Sequence, residues 1–498
     1  MPELINPPFA SLLGQIRSNI PADLPIYLVG GAVRDAMLGR KVRDLDFAMP
    51  AAALQSARRV ANELQAAYYP LDTERETGRV VLTSPEGQRS YLDFATFRGP
   101  DLEADLRARD FTVNAMAVDL NAPQSLIDPL GGAAHLRARQ LHACKQSAFL
   151  DDPIRITRGV RLAVELNFRL HPDTLAIIRK AISGLTHVSA ERVRDELVRM
   201  FEGVPVGSCL QALDVLGLIP YLLPELSALR GLEQPPPHIN DAWRHTLDAI
   251  NKLSALLNVL AVNYDPDSAA NLITGQVSLR LGRYRQLISD HLAKEICVGR
   301  SGRGLLFLAA LYHDVGKAQA RQEDETGRVR FLEHEVLGAD LLALRGRELH
   351  LGNPEIGRLY TIVRHHMRPI LLANTGKLPS SRAIYRFYRD VGEAGVDICL
   401  LSLADVWATY GPDLSQDIWH QQVEVVRSLL EGWWERQDDI VRPPALLNGD
   451  ELMAGLSIKP GPLVGKLLEI IREAQVEGIV TDRQGALDLA RIYLEREV

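Results

Sequence analysis

Strand-like runs alternate with helical ones only as far as about Cys144, after which the chain reads almost wholly helical. Two parts of different class are therefore expected. At 498 residues the chain also exceeds the size at which single cores stop growing, roughly 250–300 residues, so several domains are predicted. An apolar content of 46% supplies ample core. Gln234-Pro235-Pro236-Pro237 cannot continue a helix and marks one boundary, and Arg442-Pro443-Pro444 marks another. The predicted organisation is a mixed sheet with helices over 1–145, a helical neck over 146–234, a histidine-bearing helical domain over 235–440 and a helical tail over 441–498.

Within the first part, Asp44 and Asp46 flank a single leucine and follow Leu28-Val29-Gly30-Gly31-Ala32-Val33-Arg34-Asp35. Residues i and i+2 of a strand share a face, so an extended Arg43–Phe47 segment would aim both carboxylates at one point. Hard oxygen ligands there suit Mg2+. The paired glycines end an apolar run, Ile26–Val29, and let bare backbone amides approach a triphosphate before a helix begins. An Asp-x-Asp on its own is commonly a solvated turn; the preceding glycines favour the metal. Asp93, in the alternation Arg89–Phe97, is a candidate to activate an attacking hydroxyl or complete the metal shell, against an ordinary surface aspartate.

These residues resemble the head domain of the class II tRNA nucleotidyltransferases, the CCA-adding enzymes, and of the related bacterial poly(A) polymerases. The resemblance continues in order. Arg109-Asp110-Phe111-Thr112-Val113-Asn114-Ala115-Met116-Ala117 looks like the family's second motif, Asp128-Pro129-Leu130-Gly131-Gly132 like its third and Asp151-Asp152-Pro153-Ile154-Arg155 like its fourth. Glu191-Arg192-Val193-Arg194-Asp195-Glu196-Leu197 resembles a neck motif. By this resemblance Gly30, Gly31 and Arg34 contact phosphates, and Arg109, Asp110 and Asn114 lie in a motif associated with sugar and nucleotide contacts. Ala108 stands where relatives often place another arginine, which puts one such contact in doubt.

Asp152 is a plausible helix N-cap with Pro153 at the first helical position, and Arg155 neighbours it at i+3. The pair offers one acceptor and several donors. Cytosine and adenine present an exocyclic amine to a carboxylate and ring acceptors to a guanidinium, whereas uracil and guanine oppose a carbonyl to the carboxylate. A polar site rejects that mismatch more strongly than a size difference. Arg158, one turn further on, is a candidate for the triphosphate or for solvation of its helix. In many CCA-adding relatives a longer flexible loop, linked to the switch from C to A addition, joins the third carboxylate to the second motif. Here only Gly99–Ala104 separates Arg98 from Asp105, which resembles the CC-adding branch.

Downstream, Leu311-Tyr312-His313-Asp314-Val315-Gly316-Lys317 follows the apolar run Leu305–Ala310, placing adjacent metal ligands at a helix end. His245 and Asp405 lie in helical patterns and are candidates to complete the site, with His334 and one of His365 or His366 available for a second metal. Two metals about 3.5–4 Å apart activate water and stabilise a leaving oxygen. A lone histidine on an apolar helix is usually a satisfied core residue; the ordered set resembles the HD phosphohydrolase superfamily. It implies one or two divalent metals (Mn, Fe, Ni, Co or Mg) and action on phosphate esters, such as those at damaged RNA ends. The final segment, Leu447–Met453 through Lys459–Lys466, resembles the family's tail module. The implied fold is α+β and multidomain: a polymerase-β-like nucleotidyltransferase head followed by all-α neck, HD and tail domains.

The four cysteines, Cys144, Cys209, Cys297 and Cys399, form neither a disulfide framework nor a Cys-x-x-Cys knuckle, which fits a reducing cytoplasm. No run reaches the roughly twenty residues needed to span a bilayer, and no leader pattern opens Met1–Asn19, so no membrane partner is expected. The formal charge of −7 argues against nucleic acid unless it is locally reversed. Arg155, Arg158, Arg161, Arg169, Arg179, Lys180, Arg192, Arg194 and Arg199 offer such a basic flank, or merely a mixed solvated surface. The expectation is template-independent extension of a tRNA 3′ end using CTP, with ATP as a further candidate, Mg2+ at the head and a second metal centre downstream. The rivals are a poly(A) polymerase, an HD phosphohydrolase with an inactive head and a noncatalytic RNA-binding protein. The oligomeric state is not specified by the sequence.

Overall fold

The computed structural model describes residues 7–42, 44–84, 89–203 and 205–497. The chain divides into two compact units, Met1–Arg192 and Val193–Val498, and the division falls inside the segment read as neck. Arg43, part of the expected extended segment, lies outside the described residues, as do residues 1–6 of the opening stretch.

The first unit is built on a seven-stranded sheet: β1 (Tyr27–Val29), β2 (Leu45–Met49), β3 (Ala67–Asp72), β4 (Thr77–Thr83), β5 (Arg89–Thr96), β6 (Ala117–Asp119) and β7 (Leu126–Ile127). Their spatial order is β3-β4-β5-β2-β1-β6-β7, and β2 with β5 is the parallel pair in an otherwise antiparallel ladder. Period-two alternation explains the central strands. Leu45 and Phe47 of β2 and Leu92 and Phe94 of β5 are buried, and the rings of Phe47 and Phe94 stack at 4.8 Å. Asp46 and Asp93, at paired positions of the two strands, necessarily take the opposite face. The helix Ala53–Glu63 covers the apolar face with Ala53, Ala57, Val60 and Ala61. Beyond the sheet this unit is mainly helical, with Ile154–Leu166 its longest helix after the strands.

The second unit is helical, as expected, except for two small hairpins. Glu295–Cys297 pairs with Arg300–Ser301, and Arg321–Glu323 pairs with Val329–Phe331. Strands this short carry no readable alternation. In the second hairpin the turn is made by Asp324, whose Oδ1 accepts from the amides of Thr326 and Arg328, with Gly327 at φ +80°. The helix Gly395–Tyr410 is buried almost all round, which identifies it as the central helix of this unit. It carries Asp397 and Asp405 inward. Asp397 is met by Arg358 at 2.6 Å and His291 at 3.2 Å, and although burial pushes its carboxyl up, these two neighbours hold it below the usual carboxylate range.

The tail helices Gly449–Leu456, Pro462–Val476 and Arg483–Glu497 enclose their own core, which includes Leu447, Leu452, Leu467 and Ile471. They meet the helix Ser381–Val391 through charge: Arg386 binds Glu473 bidentately, and Arg382 lies 3.0 Å from Glu477. None of the four cysteines is in a disulfide. Among the described residues no helix is long and apolar enough to cross a membrane.

Candidate functional sites

At the head, β1 ends in Gly30, and the helix Gly31–Met37 begins at once. Gly30 has φ +75° and ψ −142°, a conformation essentially confined to glycine. A Cβ placed there would lie 3.0 Å from Oδ2 of Asp46 and 3.2 Å from Nη1 of Arg109. The glycine turn, the second aspartate of the pair and the arginine of the second motif therefore share one point. Gly30→Ala is expected to destabilise the unit by about 1–3 kcal/mol and to push Asp46 aside, lowering nucleotide addition more than the loss of folded protein explains. A melting curve beside a single-turnover assay checks it.

Asp46 is exposed on its face of β2, and crowding by neighbouring groups pushes its carboxyl up to about 6 through loss of bulk water; Arg109 opposes this, and Asp93 and Asp44 add to it. A carboxylate so placed is short of positive charge, which fits a divalent cation. Asp44 is exposed just before β2, and its Oδ1 accepts from the Tyr91 amide at 3.1 Å, which leaves Oδ2 for another partner. Asp93 sits in register with Asp46, but both its oxygens are held by Arg79, at 2.8 and 2.7 Å. Arg79 was not anticipated; its signal is the cross-strand register that pairs it with Asp93.

The other head residues are tied by hydrogen bonds and ion pairs, with Arg34, Asp110 and Asn114 buried. Arg34 donates to Asp35 and, at 2.7 Å, to Oδ1 of Asn114, whose amide donates to Asp110. Asp110 also accepts from the Phe111 amide and faces Arg158 at 3.3 Å. Burial pushes the Asp110 carboxyl up, but Arg158 and these hydrogen bonds hold it below the usual range. Arg109 pairs with Asp105 at 3.1 Å. Gly31 faces the Arg34 guanidinium, 3.4 Å from where its own Cβ would stand.

Asp152 does not act as the expected cap. The helix starts at Ile154 after Pro153, which makes no side-chain cap bond, and Oδ2 of Asp152 turns to Arg192 at 2.8 Å and Arg155 at 3.4 Å. Ion pairing with two arginines outweighs the weak local preference for capping. The neck cations are largely committed in the same way, with Arg161 on Glu165, Arg194 on Asp195 and Arg199 on Glu196, while Arg169, Arg179 and Lys180 are exposed.

The second unit gathers His245, His313, Asp314, His334, His366 and Asp405, all buried. His245 and His313 bring their Nε2 atoms to 3.4 Å, and both approach Oδ2 of Asp314, at 3.5 and 3.3 Å. Oδ1 of Asp405 lies 3.1 Å from His245. On the other oxygen of Asp314, His334 stands at 3.4 Å and His366 at 3.9 Å. Two ligand groups thus share Asp314: His245, His313 and Asp314, and Asp314, His334 and His366. Of the adjacent histidines, His366 faces the cluster; His365 is half-buried beside Arg368 and Asp390.

This donor set fits metal. His313, His334 and His366 each donate from Nδ1 to the carbonyl three residues earlier, on Ala310, Phe331 and Val363, at 2.8, 2.9 and 2.8 Å. Such bonds orient the ring and turn Nε2 toward the cluster. The Nε2 atoms of His334 and His366 are buried without a hydrogen-bond partner. Burial alone would lower His313, but Asp314 and Asp405 outweigh it and hold it up at about 9. Burial and the neighbouring histidines push His366 down to about 3. Lys317, at i+3 from Asp314, was readable in the motif but not singled out: its Nζ lies 2.6 Å from both Asp314 and Oε1 of Gln234. A cleft of about 680 Å3 opens onto Asp314, His334 and Asp405, with Pro235, Phe331 and Met367 among its apolar lining.

Gly316 explains the glycine of the His313–Lys317 motif. Its φ is ordinary, but a Cβ would stand 2.1 Å from the carbonyl oxygen of His334 and 2.6 Å from the amide of Gly338. Gly316→Ala must separate the two backbones. It is expected to cost about 1–3 kcal/mol and to weaken divalent metal binding at His334, as calorimetric titration with Mn2+ would show.

The two sites together define a nucleotidyltransferase-type head joined to an HD-type helical domain. The poly A polymerase head domain model matches residues 26–142, that of the probable RNA and SrmB-binding site of polymerase A matches 167–229, and the HD domain model matches 278–409. An A-adding tRNA nucleotidyltransferase of Deinococcus radiodurans is 33% identical over 479 residues, covering 94% of each chain. A CC-adding enzyme of Thermus thermophilus is 33% identical, covering 95% of each. In fold the chain is similar to a CCA-adding enzyme solved with ATP (TM-score 0.62, 20% identity, 99% and 97% of the two chains). The Thermotoga maritima CCA-adding enzyme complexed with tRNA is comparable (TM-score 0.57, 19% identity, 99% and 97%). The chain belongs to the tRNA nucleotidyltransferase family of CCA-, CC- and A-adding enzymes.

Proposed function

We propose that this enzyme transfers CMP from CTP to the 3′ end of tRNA and releases pyrophosphate. The observation that carries the reading is the coincidence of Gly30, Asp46 and Arg109 at one point. Asp44 and Asp46 would hold Mg2+, and a bound Mg2+ would supply positive charge against the primer oxygen and the leaving pyrophosphate. Gly30 and Gly31 present backbone amides to the triphosphate, with Arg34, Arg109 and Arg158 supplying positive charge around it. Asp110 and Asn114 face the sugar. Asp93, steadied by Arg79, flanks the hydroxyl, and Asp152 with Arg155 selects the base.

The CC-adding subtype is favoured by the tether after β5. Phe97 donates its amide to Met49 at 2.9 Å, Arg98 donates to Asp105 at 3.0 Å, and Asp101 caps the helix Leu102–Arg107. These bonds tie down the short segment between β5 and that helix. With tRNA lacking its terminus, CTP and ATP together, product sequencing is expected to show two added C residues and a stop. A added only to tRNA already ending in CC would identify the A-adding subtype named for the Deinococcus relative, and A added without limit would identify a poly(A) polymerase.

For the second unit we infer metal-dependent hydrolysis of phosphate esters. His245, His313, Asp314 and Asp405 hold one divalent metal, and Asp314, His334 and His366 a second; Mn, Fe, Ni, Co and Mg are the candidates. A metal bound there would supply Lewis acidity to activate water. The apolar cleft wall admits an ester substituent while Lys317 steadies Asp314. The working compartment is the cytoplasm, consistent with four cysteines that form no disulfide.

A further inference from the structure

Arg79 forms a row with two of the head's carboxylates. It stands opposite Asp93 in the pairing of β4 with β5, and Asp93 stands opposite Asp46 in the pairing of β5 with β2. Directly opposed residues on neighbouring strands share a face, so a cation and two carboxylates lie side by side across three adjacent strands. The guanidinium is fixed in place. It meets Oδ1 and Oδ2 of Asp93 at 2.8 and 2.7 Å and lies over the ring of Tyr91, 4.8 Å from its centroid. The same tyrosine donates its amide to Asp44, which ties the first aspartate of the pair into the frame that holds the arginine. The hydrogen bonds to Asp93, with Asp44 adding to them, hold the guanidinium above its ordinary value against partial burial. Arg79 is a permanent positive charge.

Charge counting then limits what else the head holds. Asp44, Asp46 and Asp93 bring three negative charges and Arg79 offsets one, which leaves the charge that one divalent cation balances. Arg109 is matched separately by Asp105. We propose that Arg79 takes the place of a second divalent cation at Asp93, so that the head binds one such ion, at Asp44 and Asp46, and Asp93 is not a metal ligand. This rests on the reading of Asp44 and Asp46 as the metal pair. A bidentate guanidinium claims a lone pair on each carboxylate oxygen and sets a like charge where another cation would approach, so a second ion there meets repulsion as well as a lost hydrogen bond. Of the two cations with which a paired metal site clamps attacking and leaving oxygens, this head carries one as a side chain.

Mn2+ stands in for Mg2+ and is counted by electron paramagnetic resonance titration of the full-length protein, in which the metal centre of the second unit adds the same number of ions to every variant. Arg79→Gln, and Arg79→Ala with the side chain cut back altogether, are each expected to bind one Mn2+ per chain more than the wild type, because Asp93 is released to a cation. The extra ion should vanish when Asp93→Ala is added. Arg79→Lys, which keeps the charge, should bind the wild-type number. A wild-type count in both neutral variants overturns the proposal, and so does a count lowered by Asp93→Ala alone, since Asp93 is then a ligand already. If Asp46→Ala fails to lower the wild-type count, it is the metal pair itself that is lost, whatever the Arg79 variants show.

Discussion

Asp46→Ala is expected to lower CMP incorporation about a thousandfold or more, because the variant loses several kcal/mol of charge stabilisation at the transferring phosphate. The fold should survive. Asp46 is exposed on the face of β2 opposite Leu45 and Phe47, so its removal takes nothing out of the core. The melting temperature should therefore hold while activity disappears. Single-turnover incorporation of labelled CTP, beside a thermal melt, separates the two quantities. Retained addition would take the metal away from Asp46.

The second large effect concerns the other unit. Asp314→Asn is expected to abolish divalent metal binding and phosphate-ester hydrolysis while leaving CMP addition unchanged. Asp314 is the one carboxylate common to both ligand groups, and one of its oxygens also receives the Lys317 ammonium. Removing one member of a buried charged cluster costs about 3–5 kcal/mol, so the melting transition of this unit should fall in the same variant. Mn2+ calorimetry and hydrolysis of bis(p-nitrophenyl) phosphate are the readouts. Metal binding at wild-type strength would move the centre away from Asp314.

Much of the head was legible because its logic is local. The alternation Asp44-Leu45-Asp46-Phe47 sends Leu45 and Phe47 into the core, leaving the aspartates for the other face, and the glycine pair ends a strand as its apolar run suggests. What failed to show was settled across long separations. Arg79 reaches Asp93 only through the register of β4 on β5. Asp152 forsakes its cap for Arg192, forty residues on, and local preference cannot foresee a partner at that distance. Likewise, the sequence places two adjacent histidines near the end of Asn353–His365, but only the helix geometry decides that His366 faces Asp314 while His365 turns to Arg368 and Asp390. The short hairpin before His334 was invisible for a different reason, since three-residue strands are too brief to display a period.

The most direct test is a crystal structure of this protein grown with Mg2+ and a nonhydrolysable CTP analogue. One cation should lie between carboxylate oxygens of Asp44 and Asp46 at about 2.0–2.1 Å, with the triphosphate over Gly30 and Gly31. Carboxylates pointing apart, with the nucleotide bound away from the glycine turn, would contradict the assignment of the head as the site of nucleotide transfer.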